Sequence, residues 1–336
     1  MGIVISKNSA LNDSFWKDTD RALRAVMLDA DKEKTQYDKL VSDLAIEEKS
    51  SAYAEKTSGQ TTLASFDVVE EGDKAPVDDM QETRPKLIVH EEFSKTVVIT
   101  KQMVDDNQYK KTMKIPKNLV HAYKRTRAEL ASNALTTEAA EFYVGPNKRK
   151  ALDRTTNDGL NLFHTAHTAV KANVPVQSNV FTNPFGNDDV MLGRLANIGR
   201  NYLDDSGNPM GFTFDTIVIP GNAYALERTI KKVIRSELQV GSDYNDVNVE
   251  KGLWKLIVDP LWQCAAGTAP YIIFSSEARD AMDGMVFYDR TVLDIANDID
   301  IDTRNLKYNG YARMSCGFND WRWVIMGGAS AGTSLS

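Results

Sequence analysis

The chain has 336 residues and a formal net charge of −7, with 42% hydrophobic and 26% charged residues. This composition is typical of a folded globular protein and argues against disorder throughout. The acidic balance excludes a nucleic-acid binder that is basic over its whole surface. The two cysteines, Cys264 and Cys316, form no Cys-x-x-Cys pair, which excludes zinc fingers and thioredoxin-type sites and favours a reducing compartment. No apolar run approaches the roughly 18 residues of a membrane span.

The first sixty residues are predicted to form a helical arm. From Asn12 to about Glu55, apolar residues recur at helical spacing with Asp and Lys between them. The apolar face is too narrow to form a core by itself. The arm is therefore expected to lie on a neighbouring surface.

A long two-stranded hairpin is predicted for residues 61–100. Its strands are the alternating run Leu63–Val69 and the extended run Lys86–Thr100. The acidic tip between them is about fifteen residues long, well beyond an ordinary hairpin loop. An isolated two-stranded ribbon is marginally stable in water, so we expect a partner subunit to support it. The tip residues expected at that contact are Glu70, Glu71, Asp73, Lys74, Val77 and Met80.

The clearest helix is predicted from Lys117 to Glu141, with Pro116 in its first turn, where the missing N–H costs nothing. Apolar residues at spacings of three and four form one stripe. Cations fall mostly off this stripe and predict a wet, basic face, which in most proteins is simply solvated. The cations just before this helix, on it and in the run after it are Lys114, Lys117, Lys124, Arg125, Arg127, Lys148, Arg149 and Lys150.

Beyond Asn157 the predicted elements are mixed, which indicates the α+β class. The predicted helices are Asp188–Leu203 and a helix from Asn222, as its cap, to Leu238. The predicted strands are Phe214–Pro220, Trp254–Asp259, Tyr271–Phe274, Met285–Tyr288, Leu306–Gly317 and Trp321–Met326. Residues 329–336 are predicted to be a flexible tail.

No catalytic, metal or cofactor site is predicted. His164 and His167 have the spacing of two metal ligands on a helix, but no third ligand lies nearby, so a structural turn is the favoured interpretation. His90 is predicted as a strand residue and His121 as a surface residue. Asp294–Asp302 lacks the glycine and glutamate of an EF-hand, and its alternation predicts a half-exposed strand. The sequence contains no phosphate loop, nucleophile elbow or dinucleotide fingerprint, so the chain is not expected to be an enzyme.

Four segments carry a resemblance to a known family. Ile99–Asp106, followed by Ile115–Pro116 and the basic helix, resembles the start of the spine helix in Mu-like major head subunits. Asp158–His167 is similar to the family segment Asp-Gly-x-x-Leu-Phe-x-x-x-His. Val258–Leu261 and Gly317–Arg322 resemble the turn before the last section and the closing strand. The order of arm, hairpin, long helix, α/β lobe and return strands is that of tailed-phage capsids.

The resemblance covers about residues 61–328 and implies an α+β, HK97-type capsid fold. The implied parts are a helical arm (1–60), an extended loop or β-hairpin (61–100), a peripheral domain with the spine helix (101–173), an axial domain (174–290), return strands that complete the peripheral domain (291–328) and a tail (329–336). Some members carry a long N-terminal scaffolding region, whereas only about sixty residues precede the hairpin here. A scaffold is then either a separate protein or was cut from a longer precursor.

The implied function is that of a major capsid protein in a phage head. It would assemble with itself into pentamers and hexamers that enclose double-stranded DNA, with a scaffolding protein and a portal as further partners. It would be assembled in the host cytoplasm and involve no membrane. The basic helix would lie inside the shell and touch DNA without sequence preference. Two alternatives remain open: an encapsulin-like compartment, and an unrelated α+β enzyme, which the lack of a catalytic set disfavours.

Overall fold

The computed structural model describes residues 4–5, 16–58, 63, 65–78, 80, 82, 85–106, 108–137, 141–142, 144, 152–171, 174–186, 190–240, 246–265 and 268–328. Its helices are α1 (Lys17–Lys32), α2 (Gln36–Leu44), α3 (Lys101–Asp105), α4 (Tyr109–Thr136), α5 (Val190–Asn201), α6 (Tyr224–Arg235) and α7 (Ser276–Ala281). Its strands are β1 (Val4–Ile5), β2 (Ile46–Lys49), β3 (Ala54–Thr57), β4 (Lys86–Val89), β5 (Glu91–Ile99), β6 (Glu141–Phe142), β7 (Leu152–Asp153), β8 (Thr216–Pro220), β9 (Lys255–Asp259), β10 (Tyr271–Phe274), β11 (Met285–Ile299), β12 (Leu306–Phe318) and β13 (Val324–Gly327). None of the described helices is long and apolar enough to cross a bilayer.

The larger sheet is built on the long antiparallel pair β11 and β12. Strand β5 adds to the free edge of β12, and the other edge of β11 carries both β1 and β2 in parallel. Inward residues such as Phe287 and Met314 alternate along the pair and are fully buried. This sheet therefore joins strands from residues 4–99 to strands from residues 285–318.

The smaller sheet has the order β13-β10-β8-β9, and its strands lie between residues 216 and 327. Every residue of β8 and β10 is buried, a continuous apolar pattern that requires cover on both faces. Helix α6 packs an apolar face into the same core cluster.

The arm is helical only as far as Leu44. Helices α1 and α2 pack on α4 of the same chain, and the Thr35–Asp38 capping box begins α2. The predicted helix is wrong beyond Ala45, because residues 46–49 form β2 and pair with Val286–Asp289 of β11. Tertiary pairing overrides the local pattern here.

The predicted strand pairing of the hairpin is wrong. Strand β4 pairs with β3, in the register Ala54↔Val89, and the described residues of Leu63–Val69 form no strand. The second extended run is broken at His90, after which β5 leaves the ribbon and pairs with β12. The paired ribbon therefore begins at Ala54, earlier than the predicted strand at Leu63, and it is only four residues long.

Three further boundaries differ from the prediction. Helix α4 begins at Tyr109, so Pro116 lies inside it and removes one backbone hydrogen bond. Asn222 does not cap α6; its side chain instead pairs with the backbone of Cys264, at 2.8 Å and 3.0 Å. Strand β11 continues to Ile299, and the acidic segment beyond it turns into β12.

Candidate assembly interface

The loop between β3 and β4 exposes large apolar side chains. Phe66, Val68 and Val77 are each at least 96% exposed, so they touch almost nothing in their own chain. The same loop also exposes Leu63, Val69 and Met80. Six exposed large apolar side chains in one loop exceed the scattered single residues that are normal on a monomer, and they indicate an interaction surface.

Carboxylates are interleaved with these apolar residues. All six predicted tip residues are exposed: Glu70, Glu71, Asp73, Lys74, Val77 and Met80. Gly72, with φ at 95°, makes the tip turn, in which the Asp73 N–H donates to the Glu70 carbonyl. The like charges repel one another and so oppose collapse of the loop onto itself.

Beyond the tip, the loop is anchored to its own chain. Ile88 packs with Val286 and Tyr288 in a small buried cluster. The Lys86 ammonium donates to the Thr155 carbonyl and lies 3.4 Å from the Asp153 carboxylate. Burial lowers the pKa of Lys86, against the attraction of Asp153. The base is therefore fixed while the tip projects.

His90 joins the base to the large sheet through buried hydrogen bonds. Its Nδ1 lies 2.9 Å from the Ser315 hydroxyl and its Nε2 lies 2.8 Å from the Ser50 hydroxyl. The Ser50 hydroxyl donates to Glu55 of β3 at 2.5 Å, so Nε2 must carry the proton and donate to Ser50. Nδ1 then accepts from the Ser315 hydroxyl. With a neutral His90 ring, each of these side chains therefore has a hydrogen-bond partner. The prediction of His90 as a strand residue is wrong, because it lies between β4 and β5, and this role was not predicted from the sequence.

The His90 contacts predict a stability that depends on pH. Burial lowers the pKa of His90 below its ordinary value of 6.5; Glu55 opposes this, whereas Arg313 and Arg290 reinforce it. The unfolded chain therefore binds the proton first as the pH falls, and stability present above about pH 6.5 is lost below it. We expect urea unfolding to show a larger loss of stability between pH 7.5 and pH 5.5 in the parent than in His90→Gln. His121→Gln, at a half-exposed histidine, is the matched control, and an unchanged pH dependence in His90→Gln would contradict the assignment.

The predicted wet face of α4 is wrong at two residues. The Lys124 ammonium is buried and donates to the carbonyls of Asp31 and Glu33, at 2.9 Å and 2.5 Å. Arg127 is also buried and pairs within the chain. The cause is the arm, which packs over this part of α4 and could not be placed from helical periodicity.

The remaining predicted cations of α4 are more accessible. Lys117 is half-exposed and pairs with Glu33 at 2.7 Å. Arg125 is exposed, 3.5 Å from Glu129, and Lys114 is exposed in the second turn. Lys148, Arg149 and Lys150 lie outside the described residues.

Arg127 is the centre of a buried ionic cluster. One of its terminal nitrogens lies 2.8 Å from both Glu47 of β2 and Asp289 of β11. Its guanidinium also lies over the ring of Phe287, with 5.0 Å to the centroid. Burial raises the pKa of Asp289, and the nearby Arg127 opposes that rise. The cluster holds the arm, α4 and the large sheet together.

The Asp158–His167 segment is a closed turn. The His167 ring stacks on Trp321 with 4.2 Å between centroids, and its Nδ1 lies 2.6 Å from the Asp158 carboxylate. Asp158 also accepts from the Leu160 N–H, and His164 Nδ1 accepts from the Ala166 N–H. Both histidines thus stabilise the turn, and the described residues contain no cluster of three metal-ligating side chains.

No protein-family model and no curated protein matches this chain. Solved structures do resemble it. The capsid of an empty GTA particle is similar with a TM-score of 0.53 and 11% identity, over 88% of this chain and 91% of that one. A Mycobacterium phage Patience chain is similar with a TM-score of 0.52 and 10% identity, over 100% of this chain and 95% of that one. The capsid of a native GTA particle is similar with a TM-score of 0.51 and 10% identity, over 88% of this chain and 90% of that one.

These identities show the fold alone. The resemblance to Mu-like head subunits in particular is not confirmed, because no family model matches. The mixed α+β structure with its long helix is similar to capsid proteins over 88% of the chain. The chain has the α+β, HK97-type capsid fold.

Proposed function

We propose that this protein is the major shell subunit of a tailed phage head and assembles into pentamers and hexamers of a closed icosahedral capsid. The observation that carries the proposal is the projecting loop with Phe66, Val68 and Val77 in solvent. A capsid fold explains why such a loop persists, because an adjacent copy can cover it.

The energetics favour a repeated contact. Burying one large apolar side chain contributes about 1.5–3 kcal/mol, whereas association costs on the order of 4–15 kcal/mol. The loop alone therefore gives a weak pair, and a closed shell in which each copy both gives and receives a loop is stable. We expect a buried area per subunit above the roughly 2,000 Å² of obligate assemblies.

In this proposal the parts of the chain have separate roles. Residues 174–290 form the axial domain around five- and six-fold axes, and 101–173 with 291–328 form the peripheral domain. A scaffolding protein and a portal are further partners. The head contains double-stranded DNA, and Lys114, Lys117 and Arg125 of α4 are candidate contacts to it. The role is structural and needs no catalytic group.

Assembly can be tested on the full chain. We expect light scattering and electron microscopy of concentrated protein to show closed shells, with or without a co-expressed scaffold. Nucleic acid inside native particles supports the phage head, whereas an enclosed enzyme supports the encapsulin-like alternative. A folded monomer under every salt and scaffold condition would falsify shell formation.

A further inference from the structure

Helix α6 presents a row of cations on its exposed face. Arg228, Lys232 and Arg235 follow one another at spacings of four and three, so they lie on one side of the helix. All three are exposed, and Tyr224, on the same side one turn earlier, is 72% exposed. We call these four residues the α6 row. The opposite side of the helix is apolar and packs into the core.

The three cations of the α6 row form no ion pair with the described part of the chain; the only described pair on this helix joins Lys231 to Glu227. Lys232 and Arg235 lie in the last turn, where the negative end of the helix dipole stabilises cations. The dipole gives Arg228 no such stabilisation. The like charge of Lys232, four residues further on, destabilises Arg228. In a chain of net charge −7, an unneutralised row of this kind points to an anionic partner.

The composition of the row favours a polyanion over a protein surface. Protein interfaces have apolar cores that are depleted in charged residues, and Tyr224 is the only large apolar side chain in the row. A phosphate backbone needs no such core. The row spans about 17 Å at 1.5 Å per residue, and a nucleic-acid strand presents a phosphate about every 3.4 Å along its axis. Arginine also matches phosphate oxygens with two parallel hydrogen bonds.

We propose that the α6 row binds the phosphate backbone of a nucleic acid without sequence preference. Arg228 and Arg235 each hold a phosphate, Lys232 lies between them, and the Tyr224 hydroxyl donates to the backbone at the end of the row. The proposal concerns the surface of one subunit. It does not depend on shell formation, so its failure and that of the proposed function are distinguishable.

The test compares two variants with equal net charge. The row variant is Arg228→Gln, Lys232→Gln and Arg235→Gln. The control variant is Lys251→Gln, Lys255→Gln and Lys307→Gln, whose lysines are exposed but already pair with Glu237, Asp43 and Asp300. Fluorescence anisotropy with labelled duplex DNA and duplex RNA is measured from 50 to 200 mM salt, with the oligomeric state checked by light scattering.

For the row variant we expect affinity at the lowest salt to fall about tenfold or more, and the slope of log affinity against log salt to flatten by about 2 to 3. DNA and RNA should lose affinity alike, and the control variant should keep the parental slope. An unchanged slope in the row variant, or an equal loss in the control, overturns the proposal. Row-dependent binding of polyglutamate without binding of either nucleic acid also overturns it, and indicates an acidic protein instead.

Discussion

Changing Phe66, Val68 and Val77 to serine should abolish shell formation and leave the subunit folded. These side chains are almost fully exposed, so their replacement removes no core contact. Each loses about 1.5–3 kcal/mol of burial in an assembled shell, and the loss is repeated at every subunit. Light scattering and electron microscopy would report assembly, and circular dichroism would report the fold.

Ile301→Ser is the control for the loop variant. Ile301 is 91% exposed, at the turn between β11 and β12, and lies outside the loop. We expect this variant to assemble normally. Hydrogen exchange should also show that residues 65–78 gain protection when parental subunits assemble. A normal shell yield from the triple variant, with equal protection of the loop in both states, would remove the loop from the interface.

Among the single substitutions proposed, Arg127→Met should cause the largest loss in the free energy of unfolding. The change leaves Glu47 and Asp289 without their cation, and removing one partner of a buried pair costs about 3–5 kcal/mol. Urea unfolding would measure the change in the free energy of unfolding. Arg125→Met, at an exposed site on the same helix, should change it by less than about 0.5 kcal/mol.

The stability deficit of Arg127→Met should grow with pH. Burial already raises the pKa of Asp289, and loss of the arginine removes the attraction that opposes this rise. A raised carboxyl pKa gives stability at low pH that is lost as the pH rises through the folded value. The deficit should therefore be larger at pH 8 than at pH 5. Adding Asp289→Asn should recover part of the lost stability at pH 8, and no recovery would argue against a buried charge as the cause.

The sequence predicts best those elements whose pattern is local. Tyr271–Phe274 is a short apolar run between turns, and it forms β10 with the predicted bounds. Residues 46–49 carry three charges in four positions and become a strand only because β11 lies alongside. No local pattern contains that information. The predicted pairing of the hairpin is wrong for the same reason, since β3, the partner of β4, lies before the predicted strand.

In the candidate interface, too, the sequence predicts some features and not others. Exposure of the loop tip follows from its composition, because charges with glycine and proline cannot form a core. Burial of Lys124 and Arg127 does not follow, because periodicity identifies a helix face but not the element that covers it. The α6 row was likewise missed: its cations are ordinary in the sequence and become informative only when it is known that they form no ion pair within the described part of the chain.

The pairing of the large sheet also sets the order of events during synthesis. Ile46 pairs with Val286, and Ile99 pairs with Leu306, so β2 and β5 have no partner strand until β11 and β12 have been translated. Contacts this distant in sequence carry a high loop-closure entropy and slow folding. An incomplete nascent chain therefore exposes the apolar loop before the sheet that anchors its base exists. Chains terminated before Val286 should therefore aggregate more than chains that include the partner strands of β2 and β5.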